Sequence, residues 1–86
     1  MSISYFEIND NIFMKMRLKE LRNENGYTQT FIANYLNIKQ NTYSQYEANL
    51  REIPIESLCK LAALYETSVD YILCLTDEEM PYRKNS

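Results

Sequence analysis

Among its 86 residues the chain has no histidine and no tryptophan, a single glycine (Gly26), two prolines (Pro54 and Pro81) and two cysteines (Cys59 and Cys74). Without histidine the commonest general base and the commonest metal ligand are both missing, and the cysteines form no Cys-x-x-Cys pair, so no metal site is expected. No acidic pair stands in an apolar setting and no glycine-rich phosphate loop is present, which argues against an enzyme and against a bound cofactor. Both cysteines fall inside apolar helical patterns and are expected to be buried small hydrophobes in a reducing compartment. No apolar run approaches the roughly 20 residues of a membrane span. The start "MSISYFEINDN" lacks the basic-then-apolar layout of a signal peptide, so the cytoplasm is the expected location.

The shortage of glycine and proline leaves long uninterrupted stretches, as in a helical domain with short connections. A chain of this length has room for one small domain, which buries only about 60% of its unfolded surface; its stability is modest or helped by self-association. The net charge of -3 disfavours a polyanionic partner at face value, but the charge is unevenly spread. From Lys15 to Pro54 six basic residues face four acidic ones, a net of +2, whereas Ile55 to Glu79 carries Lys60 against six acids, a net of -5. The acidity sits mainly in the C-terminal part, and the overall charge is a poor guide to such a bipolar molecule.

Five helical patterns follow one another between Asn11 and Thr76. The first, "NIFMKMRLKELRNEN", aligns Phe13, Met14, Arg17, Leu18, Leu21 and the stem of Arg22 on one side, and Gly26 is the natural left-handed stop. In "YTQTFIANYLN", Thr28 is a good N-cap, Tyr27 is placed to staple onto Ile32, and Ile32, Ala33 and Leu36 form the inward face. Asn37 tolerates a left-handed turn and Ile38 can tuck under it, so a short turn leads into a third helix, "KQNTYSQYEAN". The linker "LREIP" leads to "IESLCKLAALYE", with Leu58, Leu61, Ala62 and Tyr65 at helical spacing, and then to "SVDYILCLTD", opened by Ser68. Only the N-terminal "SISYFEI" has strand-like composition, and it is either a loose arm on the helices or a strand pairing with its counterpart in a second subunit.

The third helix carries the functional signal. Tyr43 and Tyr46 face inward with Ile38, while the other side displays Gln40, Asn41, Ser44 and Gln45 as one stripe starting at the helix N-terminus. An exposed helix side normally favours Glu, Lys, Arg and Ala; Asn, Thr and Ser lower helix stability, so some benefit should offset their use. Amides and hydroxyls suit the donors and acceptors on base edges in the major groove, where Gln or Asn can contact adenine in bidentate fashion. With the helix inserted N-terminus first, Gln40, Asn41, Ser44 and Gln45 would meet bases while Lys39 and the helix dipole approach phosphates.

These residues, in this order, resemble the Cro and phage-repressor type helix-turn-helix domain, or XRE family. The resemblance runs through "RLKELRNENGYTQ", "TQTFIANYLNI", "TYSQYE", "REIP" and "SVDYIL", roughly two thirds of the chain. It implies an all-α, five-helix, lambda-repressor-like domain over residues 11–77, an arm at 1–10 that can be extended, and a polar tail at 78–86. It gives Gln29 a phosphate contact and a bracing role toward the recognition helix, with Thr28 as cap beside it. It pairs Arg22 with Glu47 in a partly buried ion pair, and it sets Asn49, Leu50 and Arg51 against the phosphate strand. Departures are Asn37 for the glycine of the turn, Lys39 for the Ser or Thr cap of the third helix, Asn49 for the glycine ending that helix, and Phe31 for the acidic residue near the start of the second. Without that acid no capping box forms, and an exposed Phe31 is expected to pack on the arm.

The implied partner is double-stranded DNA, bound by a homodimer acting as a sequence-specific transcriptional regulator, a repressor, on a roughly palindromic operator. The fifth helix with Ile72, Cys74 or Leu75, together with the arm, offers the subunit contact. The alternative is a protein-interaction module of the same fold, such as an antitoxin or an anti-repressor partner. The acidic C-terminal part, the eight tyrosines and the arm support it.

Overall fold

The structure, a computed structural model, describes residues 15–80. Five helices occupy them: α1 (Leu18–Glu24), α2 (Gln29–Leu36), α3 (Gln40–Glu47), α4 (Ile55–Tyr65) and α5 (Val69–Ile72), with no strand among the described residues. The expected arm at 1–10, the first residues of the expected first helix including Phe13 and Met14, and the end of the tail at 81–86 lie outside them.

Helix α1 begins later than its apolar pattern suggests. Arg17 is not a core-facing helical residue: its backbone N–H donates to the Ile72 carbonyl at 2.8 Å, and it stands as the non-helical cap before Leu18. Its guanidinium donates to the carbonyls of Tyr71 (2.6 Å) and Thr76 (3.1 Å), lies 4.0 Å above the Tyr71 ring, and reaches Asp77 at 3.1 Å. The start of the domain is thereby clipped to its end. Gly26 stops the first helical segment at φ +71°, as its position predicted, and no atom lies within 4 Å of where a Cβ would stand, so the demand for glycine there is purely conformational.

The Thr28 hydroxyl caps α2 by accepting the Phe31 N–H at 3.0 Å. Tyr27 lays its ring on Phe31, with centroids 4.5 Å apart, tilts toward Tyr65 and packs against the core that holds Ile32. Ile32, Ala33 and Leu36 are buried, and Asn37 turns the chain at φ 61°, where its side chain tolerates the left-handed region. The small Ala33 side chain sits on the buried face of α2, which packs against α3, as a crossing helix requires. Asn49 ends α3 at φ 60°, in the role expected of it. Leu58, Leu61, Ala62 and Tyr65 of α4 join Leu18, Leu21, Tyr43, Tyr46, Ile53 and Ile72 in one core.

Two expectations are corrected, for Ile72 and for the cysteines. Helix α5 is a single turn, capped by the Ser68 hydroxyl, which accepts the Tyr71 N–H at 3.0 Å, and the chain leaves it through a left-handed Cys74 at φ 63°. Ile72 is completely buried under that turn and cannot serve as a subunit contact, whereas Leu75 is 58% exposed. Neither cysteine is buried: Cys59 falls on the solvent side of α4 and Cys74 is half-buried. An apolar pattern around a cysteine does not settle its side of the helix. No described helix is long and apolar enough to cross a membrane.

Candidate nucleic-acid interface

Helix α3 has a wet side and a dry side. Tyr43 and Tyr46 are buried, their rings meeting edge to face at 6.3 Å and 87°, which fixes the rotation of the helix against the core. On the opposite side Gln40 and Asn41 are exposed at the N-terminal end, while Ser44 and Gln45 are half-buried. The partial cover on Gln45 coincides with the linker folding back, where Arg51 donates to the Gln45 side-chain Oε1 at 3.3 Å. The four residues of the stripe therefore share one face, graded from open at Gln40 to partly shielded at Gln45.

The expected ion pair forms and is the most densely bonded polar group among the described residues. Arg22 Nε donates to Glu47 Oε2 at 2.7 Å and its terminal nitrogen to Oε1 at 3.1 Å, with side-chain exposures of 11% and 6%. The same carboxylate accepts the Tyr43 hydroxyl on Oε2 at 2.6 Å and the Gln29 amide on Oε1 at 3.0 Å. The other Arg22 terminal nitrogen donates to the Tyr27 carbonyl at 3.1 Å. Burial alone would raise the Glu47 carboxyl, but the bonds from Arg22, Tyr43 and Gln29 and the Arg22 charge outweigh it and hold the group below its ordinary value. The hydrogen bond to Glu47 raises Arg22 in turn. Burial, then the bond to Glu47, pushes the Tyr43 hydroxyl well above the ordinary tyrosine range. At neutral pH the cluster is one carboxylate, one guanidinium and one neutral phenol.

Gln29 joins this cluster to the surface. Its amide nitrogen is spent on Glu47, and its carbonyl oxygen accepts the Gln40 amide at 3.3 Å; the Gln40 oxygen in turn lies 3.3 Å from the Thr30 hydroxyl. Gln29 thus bonds to residues at both ends of α3, Gln40 and Glu47, whereas Thr30 was not singled out in the sequence. Its only signal is its place beside Gln29 at the start of α2, and its contact lies ten residues away across the turn.

The candidate phosphate-facing residues fall at three helix ends: Thr28 and Gln29 at the start of α2, Lys39 at the N-cap of α3, and Asn49 and Arg51 just after α3. Thr28, Lys39 and Arg51 are exposed, and Gln29 and Asn49 half-buried. The Thr28 oxygen is engaged as an acceptor, which leaves its hydroxyl hydrogen free to donate. Lys39 makes no side-chain cap, so the first turn of α3 points its amides outward beside a lysine. A second brace, from the Tyr35 hydroxyl to the Lys60 carbonyl at 3.1 Å, ties α2 to α4 behind the site.

A protein-family model described as "Helix-turn-helix" matches residues 18–72. Three Bacillus subtilis (strain 168) proteins are similar over much of the chain. The HTH-type transcriptional regulator ImmR is 47% identical over 57 residues, 66% of this chain and 45% of that protein. The uncharacterized HTH-type transcriptional regulator YobD is 42% identical over 71 residues, 80% of this chain and 63% of its own length. The HTH-type transcriptional regulator AnsR is 37% identical over 57 residues, 66% of this chain and 49% of its own. The matched part thus spans from just under half to just under two thirds of each of these relatives. No solved structure matches the chain significantly. With α2 and α3 joined through Asn37 inside a five-helix domain, and the family match covering every helix, the chain belongs to the helix-turn-helix family, in its Cro and phage-repressor (XRE) type.

Proposed function

We propose that the chain is a sequence-specific DNA-binding transcriptional regulator, a repressor that binds a roughly palindromic operator as a homodimer, with α3 of each subunit in the major groove. The observation that carries this reading is the exposed Gln40 and Asn41 at the N-terminal end of a helix whose other face is locked into the core by two tyrosines. Gln40, Asn41, Ser44 and Gln45 read bases. Thr28, Gln29, Lys39, Asn49 and Arg51 position the helix on the phosphates.

Selection of bound sequences from a random DNA pool, repeated with variants, tests these roles. Gln40→Ala and Gln45→Ala should each flatten the preference at one position of the half-site by roughly 1–3 kcal/mol, while Lys39→Ala weakens every sequence about equally. Equal losses on all sequences for all three variants would contradict the division into base readers and phosphate contacts.

The homodimer rests on exposed apolar surface near the C-terminal end, where Leu75 stands out from the turn after α5. Sedimentation should give a dimer at high micromolar concentration that weakens when Leu75 becomes Asp. A monomer throughout that range would overturn the two-fold arrangement.

A further inference from the structure

We propose that Glu47, buried at the far end of α3 from the open part of its stripe, is a positioning residue for base recognition: through Gln29 it fixes which way the Gln40 amide faces. This rests on the reading of α3 as the base-reading helix and adds to it a residue that touches no base.

The argument follows hydrogen-bond polarity along the chain of contacts. An ionised carboxylate only accepts, so Gln29 must turn its NH₂ toward Glu47 Oε1, 3.0 Å away. Its carbonyl oxygen is then the atom left for Gln40, and an oxygen only accepts, so Gln40 must turn its own NH₂ toward Gln29 at 3.3 Å. The Gln40 oxygen is thereby directed to the Thr30 hydroxyl, also 3.3 Å away, which donates to it. One N–H and one lone pair of Gln40 remain unspent on an exposed residue, with the places of its nitrogen and oxygen fixed. That pair is what a bidentate contact to adenine N6 and N7 requires. A free glutamine presents either order; this one is held to a single order by a charge two side chains away.

Glu47→Gln reverses the relay without changing size. Oε2 accepts the two shorter bonds, from Arg22 Nε at 2.7 Å and the Tyr43 hydroxyl at 2.6 Å, and Oε1 the longer ones from Arg22 at 3.1 Å and Gln29 at 3.0 Å, so a glutamine at 47 keeps its carbonyl at Oε2, gives up the second Arg22 bond and puts its NH₂ in the place of Oε1. That NH₂ faces Gln29, which must flip to accept it; the Gln29 NH₂ then faces Gln40, which must flip as well. The donor and acceptor on the exposed edge exchange places.

The test is base preference across the half-site, measured by competition among defined duplexes for the wild type, Gln40→Ala, Glu47→Gln and Gln29→Met. Gln40→Ala identifies the position that residue reads. Glu47→Gln should reduce the wild-type preference at that same position by roughly tenfold, within the range of one bidentate contact, and leave the position read by Gln45 unchanged. Gln29→Met leaves the Arg22–Glu47 pair intact and so protects the test against a Glu47 variant that fails to fold. It should lose preference at the Gln40 position too, on top of a uniform loss from its phosphate contact. A purely structural role for Glu47 would lower affinity for all sequences and leave their ranking alone. Retention of the Gln40 preference in Gln29→Met, or in a folded Glu47→Gln, overturns the relay. A wild type that prefers no sequence overturns the underlying reading of α3, and the relay falls with it.

Discussion

Glu47→Ala is expected to cost about 3–5 kcal/mol of folding stability, because it leaves the Arg22 guanidinium buried without its partner. The geometry separates this pair from an ordinary surface contact worth at most about 1 kcal/mol. Both side chains are nearly excluded from solvent, the contact is bidentate, and Tyr43 and Gln29 bond to the same carboxylate. A domain of this size has a total stability on the order of 5–10 kcal/mol, so the loss is about a third or more of the whole. Urea denaturation checks the figure, and a loss below about 1 kcal/mol would show that the pair is solvent-screened. Replacing both partners with apolar residues, Arg22→Met with Glu47→Leu, should recover much of the loss, since no charge is then stranded.

The same group sets the acid limit. The folded pKa of Glu47 is lowered beneath the ordinary carboxyl value of 4.5, so its contribution is present above that value and disappears as pH falls through the folded one. In Glu47→Gln that part of the acid dependence should be missing. At the alkaline end Tyr43 acts with the opposite sign. Its folded pKa is raised above 10.0, so the stabilisation is present below pH 10 and is lost as pH climbs toward the folded value.

The second large effect is on DNA binding. Affinity per subunit should fall roughly 40- to 150-fold between 50 and 200 mM salt, as expected for about 3 or 4 released counterions. The sequence alone, with six basic residues from Lys15 to Pro54, allows up to about 6. The structure lowers that ceiling, because Arg17 is bound to the C-terminal turn and Arg22 to Glu47. Lys15, Lys19, Lys39 and Arg51 remain exposed. Gln29, Thr28 and Asn49 can contact phosphates but carry no charge and release no counterions. A titration with no salt dependence would exclude DNA as the ligand. A much steeper one would mean that basic groups outside residues 15–54 also reach the duplex.

The salt argument turns on what each arginine touches, and that marks how far the sequence can be read. Thr28 and Ser68 as caps, Gly26, Asn37 and Asn49 in left-handed turns, and the inward Tyr43 and Tyr46 were all legible, because each depends on residues within about one helical turn. The Arg22–Glu47 pair was legible only through family resemblance, since its partners stand 25 residues apart. Arg17 was misread because its apolar-side spacing fits a helix, yet partners more than 50 residues away hold it outside one. Ile72 was misread because a hydrophobic residue on a short helix fits a subunit contact as well as a core. Its burial follows only from where α1 and α5 meet.

By itself, then, the sequence determined the helical class, the order of helices, the turn between α2 and α3 and the uncharged stripe on α3. These follow from side-chain periodicity and backbone preference, which act over about four residues. The tertiary structure alone decided that Arg17 and Arg22 are engaged internally, that Cys59 faces solvent, and that Glu47, Gln29, Gln40 and Thr30 form one line of hydrogen bonds. Those contacts join atoms from separate helices, and a hydrogen bond is set by tenths of an ångström and by the direction of donor and acceptor, which only the packing of the helices can supply.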